Sequence, residues 1–312
     1  MTANIIDGKK IAQETISEIK NRIAVNIEEG LSPPGLAVII VGDNPASSIY
    51  VRNKRTACKE AGIKSYDHDL PKNISEKELI ELIQALNTNP NIHGILVQLP
   101  LPDHINETKI IESIEPIKDV DGFHPYTIGR LMQRIPVLRP CTSIGVITML
   151  DSIGVNPMGK HAVIVGASNL VGRPLALELL LKGATTTVCH KFTKDLESFV
   201  NQADILAVAV GKAGIIPGHW VKNGAVVFDI GINRDKNGKV TGDVDFEVAK
   251  EKASWISPVP GGVGPMTVAM LLKNTLIASN MNTSVSKKER KISSLPVITF
   301  GDTLHHVDAF QK

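Results

Sequence analysis

Two hydrophobic periods alternate along this chain, and that alternation constrains its fold more than any other feature. Short runs rich in branched aliphatic residues, at 36–41, 94–98, 161–165, 185–189, 205–210 and 225–230, read as buried strands. Apolar residues recur at helical spacing at 9–28, 45–61, 75–87, 142–153, 170–181 and 193–200. Strands apolar on both faces and separated by helix-length connections cannot pair through hairpins. They must form parallel sheets with helices packed over them. The sequence therefore predicts an α/β fold. A length of 312 residues exceeds one small core and predicts two domains. The pattern breaks at Arg139-Pro140-Cys141-Thr142-Ser143 and again at Ser257-Pro258-Val259-Pro260-Gly261-Gly262-Val263-Gly264-Pro265. The expected division is a first domain at 1–141, joined by a long apolar helix at 266–281, and a second domain at 142–265. The polar segment 282–312, with Lys287-Lys288-Glu289-Arg290-Lys291, is expected to be a flexible tail.

Composition narrows the class. A net charge of +2 argues against a general nucleic-acid binder. Cys58, Cys141 and Cys189 are odd in number and far apart, so they make neither a disulfide framework nor a CxxC metal pattern, which fits a reducing cytoplasm. The first residues lack the apolar core of a signal peptide, and no uncharged run approaches the ~20 residues of a membrane span. No membrane partner and no metal are expected. His305 and His306 are adjacent in the tail, which is weak evidence for a metal site.

The helical segment 45–61 carries an unusual stripe. Tyr50, Lys54, Ala57 and Ala61 share one face, while Arg52, Arg55 and Lys59 share the opposite one. The second stripe is a solvated charged face. In the first, a lysine stands among apolar neighbours. Either its ammonium enters a partly dry site, where desolvation lowers a lysine's pKa and suits it to proton transfer, or it snorkels to water.

A second signal follows the strand at 161–165. The turn Gly166-Ala167-Ser168-Asn169-Leu170-Val171-Gly172-Arg173-Pro174 is a relative of the dinucleotide fingerprint. Gly166 suits a tight turn, Ser168 a close approach of phosphate, and Gly172 close packing of the helix. Gly211 and Gly231, after the later strands, extend the same reading. About 20 residues on, where NAD enzymes place a carboxylate for the ribose hydroxyls, stands Cys189-His190-Lys191-Phe192-Thr193. A cation there favours the 2′-phosphate of NADP. Lys191 is the first candidate contact and Arg173 a weaker one; the bland alternative is a surface lysine. The expected cofactor contacts are Gly166, Ala167, Ser168, Arg173, His190, Lys191, Gly211 and Ile232.

Five separated motifs together resemble one family. They are Tyr50-Val51-Arg52-Asn53-Lys54, Gln98-Leu99-Pro100-Leu101-Pro102, Lys118-Asp119-Val120-Asp121-Gly122-Phe123, Arg139-Pro140-Cys141-Thr142, and Pro258-Val259-Pro260-Gly261-Gly262-Val263-Gly264-Pro265-Met266-Thr267. In this order they are similar to the bifunctional methylenetetrahydrofolate dehydrogenase/methenyltetrahydrofolate cyclohydrolases, over about residues 4 to 281. The resemblance implies a catalytic α/β domain and a Rossmann-like NADP-binding domain around a cleft, and a homodimer made through the latter. It also implies two consecutive reactions of one-carbon metabolism in one site: oxidation of 5,10-methylenetetrahydrofolate to the methenyl cation, then hydrolysis to 10-formyltetrahydrofolate.

By resemblance, Lys54 manages protons in the hydrolysis, Gln98 orients it, and Tyr50 stacks on the substrate. Asp121, rather than Asp119, accepts hydrogen bonds from the pterin. Leu99, Pro260, Gly261 and Gly262 complete the substrate site. Alone, Tyr50 would read as core, Gln98 as a strand end, the aspartates as turn formers, and the Pro-Gly loop as a stiff turn.

One position departs from the family. Ser143 stands where proline is common, and a local change in the interdomain link is expected there. Three alternatives bear on function. A dehydrogenase without the cyclohydrolase step is opposed by the intact Lys54 and Gln98. A non-catalytic folate- or nucleotide-binding protein leaves Lys54 idle. An NADP dehydrogenase for another small carbonyl compound gives Asp121 and the Pro-Gly loop no purpose.

Overall fold

The computed structural model describes residues 2–42, 45–234 and 238–288, with the backbone alone at 45–50 and 282–288. Tyr50's side chain and most of the predicted tail, with His305 and His306, thus lie outside the described residues.

The chain opens with strand β1 (Asn4–Ile5), helix α1 (Gly8–Glu28), β2 (Gly35–Val41), α2 (Pro45–Ala61), β3 (Lys64–Leu70), α3 (Glu76–Thr88) and β4 (Gly94–Val97). β2, β3 and β4 form a parallel sheet in the order β3-β2-β4, with Leu36 opposite both Ser65 and Gly94. β2 is buried along its whole length, as a central parallel strand must be. β3 was not predicted, because Lys64-Ser65-Tyr66-Asp67-His68-Asp69-Leu70 is polar; as an edge strand it stays partly exposed. At the start of α3, the Ser75 hydroxyl accepts from the Glu78 backbone N–H, while the Glu78 carboxylate accepts from that of Ser75. This capping box satisfies two orphan donors.

Two short helices, α4 (Glu107–Ser113) and α5 (Pro125–Met132), precede α6 (Cys141–Ser152). Then follow β5 (His161–Val165), α7 (Gly172–Leu181), β6 (Thr185–Cys189), α8 (Leu196–Val200), β7 (Ile205–Val208), β8 (Val226–Asp229), β9 (Asn233–Arg234), β10 (Val240–Thr241), α9 (Phe246–Ala249), β11 (Trp255–Ile256) and α10 (Val263–Lys288). β9 and β10 pair antiparallel with each other. α8 starts three residues later than its pattern predicts, because Asp195 takes a left-handed conformation at φ +50°.

The second sheet has six parallel strands in the order β1-β11-β8-β7-β5-β6. The chain runs from β5 outward to β6, then returns to β7 on the other side of β5, so the topology reverses between β5 and β7. A crevice at the carboxyl ends of such strands is where ligands of doubly wound sheets bind. One strand crosses over. The sequence groups 1–141 together, yet Asn4 and Ile5 pair with Trp255 and Ile256 at the edge of the second sheet. A two-residue strand is too short to show a period.

One apolar core spans both sheets. It joins Ile16, Ile19 and Ile23 of α1, Ala57 of α2, Val146 and Met149 of α6, Met266 and Met270 of α10, and Ile164 and Phe228 of the larger sheet. Helix α10 therefore returns to pack on α1 and α2, as the apolar pattern predicts, and also covers α6. The opposite faces are covered separately. Leu79 and Ile83 of α3 lie over Ile39 and Ile95, and Ala249 of α9 belongs to the cluster containing Val163 and Val227.

Candidate active site

The lysine of the α2 stripe is buried. Lys54 is 6% exposed and flanked on its face by the buried Ala57 and Ala61, while Arg52 and Lys59 are exposed. The snorkelling alternative is thereby excluded. Its Nζ donates to Gln98 Oε1 at 3.2 Å. Gln98, the residue after β4, turns its Nε2 onto the Leu99 carbonyl at 2.7 Å, which fixes the amide so that its oxygen faces the lysine. The Leu99–Pro100 peptide is cis.

The Lys54 ammonium also acts on Asp121. Burial raises the Asp121 carboxyl above its ordinary range, and Lys54 opposes that rise. The two aspartates of this loop are used differently. Asp119 is 2% exposed and accepts from the backbone N–H groups of His124 (2.7 Å) and Gly122 (3.2 Å), so it is spent on shaping the turn. Burial pushes its carboxyl up to about 7 despite those bonds. Before it, the buried Lys118 Nζ donates to the carbonyls of Leu86 (3.1 Å), Asn87 (2.6 Å) and Asn89 (3.0 Å), capping the end of α3. The loop carrying Asp121 is thus anchored on both the lysine and the aspartate that precede it.

The Pro-Gly loop lies against the first turn of α1. Gly261 accepts from the Lys9 backbone N–H at 3.1 Å, and a Cβ on Gly8 would stand 1.8 Å from the Gly262 oxygen. Val259–Pro260 is a second cis peptide.

In the second sheet the glycine turn follows β5. Gly166 has φ +114°, and a Cβ on Gly172 would stand 1.8 Å from the Gly166 oxygen, so the helix start presses directly onto the turn. Ser168 Oγ accepts from the N–H groups of Val171 (3.2 Å) and Gly172 (3.4 Å), and Arg173 Nε donates to the Ala167 carbonyl at 3.0 Å. After β6, the backbone N–H of His190 donates to Thr193 Oγ1 at 2.9 Å, and Lys191 Nζ lies 4.9 Å from the centre of the exposed Phe192 ring. Gly211 and the exposed Ile232 follow β7 and β8, two neighbouring strands of the sheet. Small residues, a helix N-terminus and two cations at the carboxyl ends of parallel strands fit the phosphates of a dinucleotide.

Known proteins place this arrangement. Residues 6–121 match the tetrahydrofolate dehydrogenase/cyclohydrolase catalytic domain, and residues 140–283 match the NAD(P)-binding domain of the same family. The chain belongs to this family. Its fold superposes on the bifunctional methylenetetrahydrofolate dehydrogenase/cyclohydrolase of Campylobacter jejuni with a TM-score of 0.88 and 49% identity, covering 89% of this chain and 99% of that one. The Trypanosoma brucei enzyme, solved with NADP cofactor and an inhibitor, aligns with a TM-score of 0.87 and 37% identity over 91% of this chain and 99% of its own. The bifunctional enzyme of Thermoplasma acidophilum gives 0.84 and 37% over 90% and 100%.

Within the dehydrogenase/cyclohydrolase fold, three contributors escaped the sequence reading. Asn274, an amide in the apolar stretch of α10, is 4% exposed and donates from Nδ2 to the carbonyls of Val120 (2.9 Å) and Arg139 (2.8 Å). It ties the Asp121 loop to the interdomain link. Glu178, a single carboxylate in the leucine-rich α7, is wholly buried and paired with Arg139, whose Nε lies 2.9 Å from Oε1. Asp243, in a polar stretch with no period, is the third. For Asn274 and Glu178, a polar residue inside an apolar helical run was the available signal. At the departure from the family pattern, Ser143 is buried and its Oγ reaches the Val171 carbonyl at 3.4 Å, joining α6 to the entry of α7. Among the described residues no side-chain cluster could hold a metal ion, and no helix is long and apolar enough to cross a membrane.

Proposed function

We propose that Lys54, held by Gln98 and facing Asp121, is the proton-handling group of this enzyme. The protein oxidises 5,10-methylenetetrahydrofolate to the 5,10-methenyl cation with NADP and hydrolyses that cation to 10-formyltetrahydrofolate, two linked steps of one-carbon metabolism. NADP, when bound, accepts the hydride from the methylene carbon. The resulting cation is stabilised by its two flanking nitrogens, so this step asks the protein for positioning rather than acid–base help.

Hydrolysis asks for more. Water must lose a proton as it adds to the methenyl carbon, and the ring nitrogen released when its bond to that carbon breaks must gain one. Lys54 manages both protons, relaying one from the attacking water and supplying one to the nitrogen. Gln98 holds the Nζ on line. Asp121, whose carboxyl is not consumed by the turn as that of Asp119 is, accepts from the pterin amino and ring N–H groups. Tyr50 stacks on the substrate, and Leu99, Pro260, Gly261 and Gly262 bound its site. Gly166, Ala167, Ser168, His190, Gly211 and Ile232 line the cofactor crevice, while Lys191 and Arg173 meet the 2′-phosphate.

The catalytic unit on this reading is 1–141 with 266–281, less the crossing strand β1, and the NADP unit is 142–265. The unit boundaries follow the two sheets and the return of α10. Three free, buried cysteines support residence in a reducing cytoplasm. The outer edge of β6 and the exposed Val188, Leu180 and Phe192 around it support a homodimer through the NADP-binding domain.

The hydrogen bond from the buried Lys54 to the half-buried Gln98 is the observation that carries the catalytic assignment. A paired assay of the wild type and Lys54→Met tests it, with reduced cofactor and methenyl product followed separately. The variant should lose methenyl hydrolysis by at least about 100-fold, the scale of general acid–base catalysis. Hydrolysis at the wild-type rate would remove Lys54 from the mechanism.

A further inference from the structure

Asp243 is wholly buried but carries four hydrogen bonds. Its Oδ2 accepts from the backbone N–H groups of Val210 (2.7 Å) and Gly211 (2.9 Å), and its Oδ1 from the N–H of Lys212 (2.9 Å) and the Asn233 amide (2.8 Å). Beside it, Asp229 closes β8 and is 2% exposed. It accepts from the backbone N–H groups of Asp243 (2.8 Å) and Val244 (2.9 Å), and from that of Gly231. The two carboxylates also fill space where no side chain fits. A Cβ on Gly231 would stand 2.0 Å from the Asp243 carboxyl carbon, and one on Gly242 would stand 1.8 Å from Asp229 Oδ2.

These contacts join two segments that leave paired neighbouring strands. One is the loop 210–212 after β7; the other is the turn through Gly231 and Ile232 after β8. Both leave the carboxyl ends of neighbouring parallel strands, beside the point where the sheet's order reverses. Holding two buried carboxylates together is costly, since burial and the Asp243 charge push the Asp229 carboxyl up to about 6. A cheaper apolar pair could fill the volume but could not receive the N–H groups of two separate loops.

We infer that Asp243, seated on Asp229, is a positioning residue for the nicotinamide cofactor, fixing the Gly211 and Ile232 loops as one rim of its crevice. The inference rests on the reading that those two loops face NADP. Asp243 itself touches no reactant; it acts by presenting backbone at a set place.

The two activities of the enzyme separate this role from general stability, because methenyltetrahydrofolate hydrolysis consumes no nicotinamide cofactor. The full-length Asp243→Asn variant keeps the side chain's shape but turns an NH2 group toward backbone N–H donors. Its KM for NADP should rise about tenfold or more, with hydrolysis of added methenyltetrahydrofolate within about twofold of wild type. An unchanged KM for NADP overturns the inference, as does a parallel fall of both activities. If Asp243→Asn does not fold, Asn233→Ala removes the amide's bonds to Asp243 Oδ1 and to the Gly242 carbonyl and should still raise the KM for NADP about threefold with hydrolysis unaltered; no rise there counts against the inference equally. Ile232→Asp tests the underlying reading. If it leaves the KM for NADP unchanged, the rim does not face the cofactor and both readings fall. If it raises the KM while Asp243→Asn does not, only the positioning role falls.

Discussion

Replacing Arg139 by methionine should strand a charge inside the molecule. The Arg139 guanidinium forms a two-point pair with Glu178, which is wholly buried on α7, and the Arg139 carbonyl is held from the other side by Asn274. Removing one partner of a buried pair costs about 3–5 kcal/mol, because the remaining charge loses its hydrogen-bonded counter-ion and has no water, and Glu178 keeps only the weaker pull of Lys182. Against a total stability of about 5–15 kcal/mol that is a large loss. It should also depend on pH. Burial already raises the Glu178 carboxyl, and Arg139 is the main influence drawing it back down; without the guanidinium it rises further. Between the unfolded value of about 4.3 and the raised folded value, the native state keeps a proton that the unfolded chain has released. Stability of Arg139→Met therefore falls as pH rises through that window and recovers as pH falls, by at most about 1.4 kcal/mol per pH unit for one proton. Adding Glu178→Gln removes the stranded charge, so the double variant should regain most of the loss at pH 8 and show a flatter pH dependence. Urea unfolding of the wild type, both single variants and the double variant at pH 8 and pH 6 closes the cycle. A loss under about 1 kcal/mol in Arg139→Met, or a double variant no more stable than it, would refute the stranded-charge argument.

Two further outcomes follow from geometry. Gly172→Ala places a methyl group 1.8 Å from the Gly166 oxygen, so the fingerprint turn must move. NADP-linked oxidation should fall at least about tenfold, a loss of ~1.4 kcal/mol in cofactor or transition-state binding, while methenyl hydrolysis holds within about twofold; equal losses would put the damage in the fold instead. For the dimer, equilibrium sedimentation should give twice the chain mass, and Val188→Lys on the free edge strand should shift it toward one chain; a wild type that sediments as a monomer rules the dimer out.

Most of the fold was legible because parallel strands buried on both faces leave an unmistakable apolar run. β2, β5 and β7 show it, and all are central. The misses lie where burial is incomplete or elements are short. β3 is an edge strand whose polar residues read as loop, and β1 is two residues that join a sheet formed by the far end of the chain. The glycine fingerprint announced its chemistry through local demands, a left-handed turn at Gly166 and a missing side chain at Gly172, which a sequence records directly. Lys54 was visible because a charge on an apolar stripe contradicts its surroundings. Its pairing with Gln98, 44 positions on, is a long-range contact, so residue spacing alone could not supply it; the family motifs did. Asp243 was invisible because its partners, at 210–212 and 229, come together only once the sheet is built.

The arrangement of buried polar groups makes a distinction between the two reactions. The groups proposed for hydrolysis, Lys54, Gln98 and Asp121, all stand on the smaller sheet and its loops, and their mutual geometry is set within that unit by Leu99, Lys118 and Asp119. Hydride transfer instead needs the second sheet at a fixed distance from the first, and a displacement of about 1 Å can cost a hundredfold in rate. Two links between the units bear on that distance: the apolar core shared by α1, α6 and α10, and the Arg139–Glu178 pair. Neither includes Lys54 or Gln98. Weakening a link should therefore slow oxidation before it slows hydrolysis, and the ratio of the two rates becomes a gauge of how firmly the units are joined.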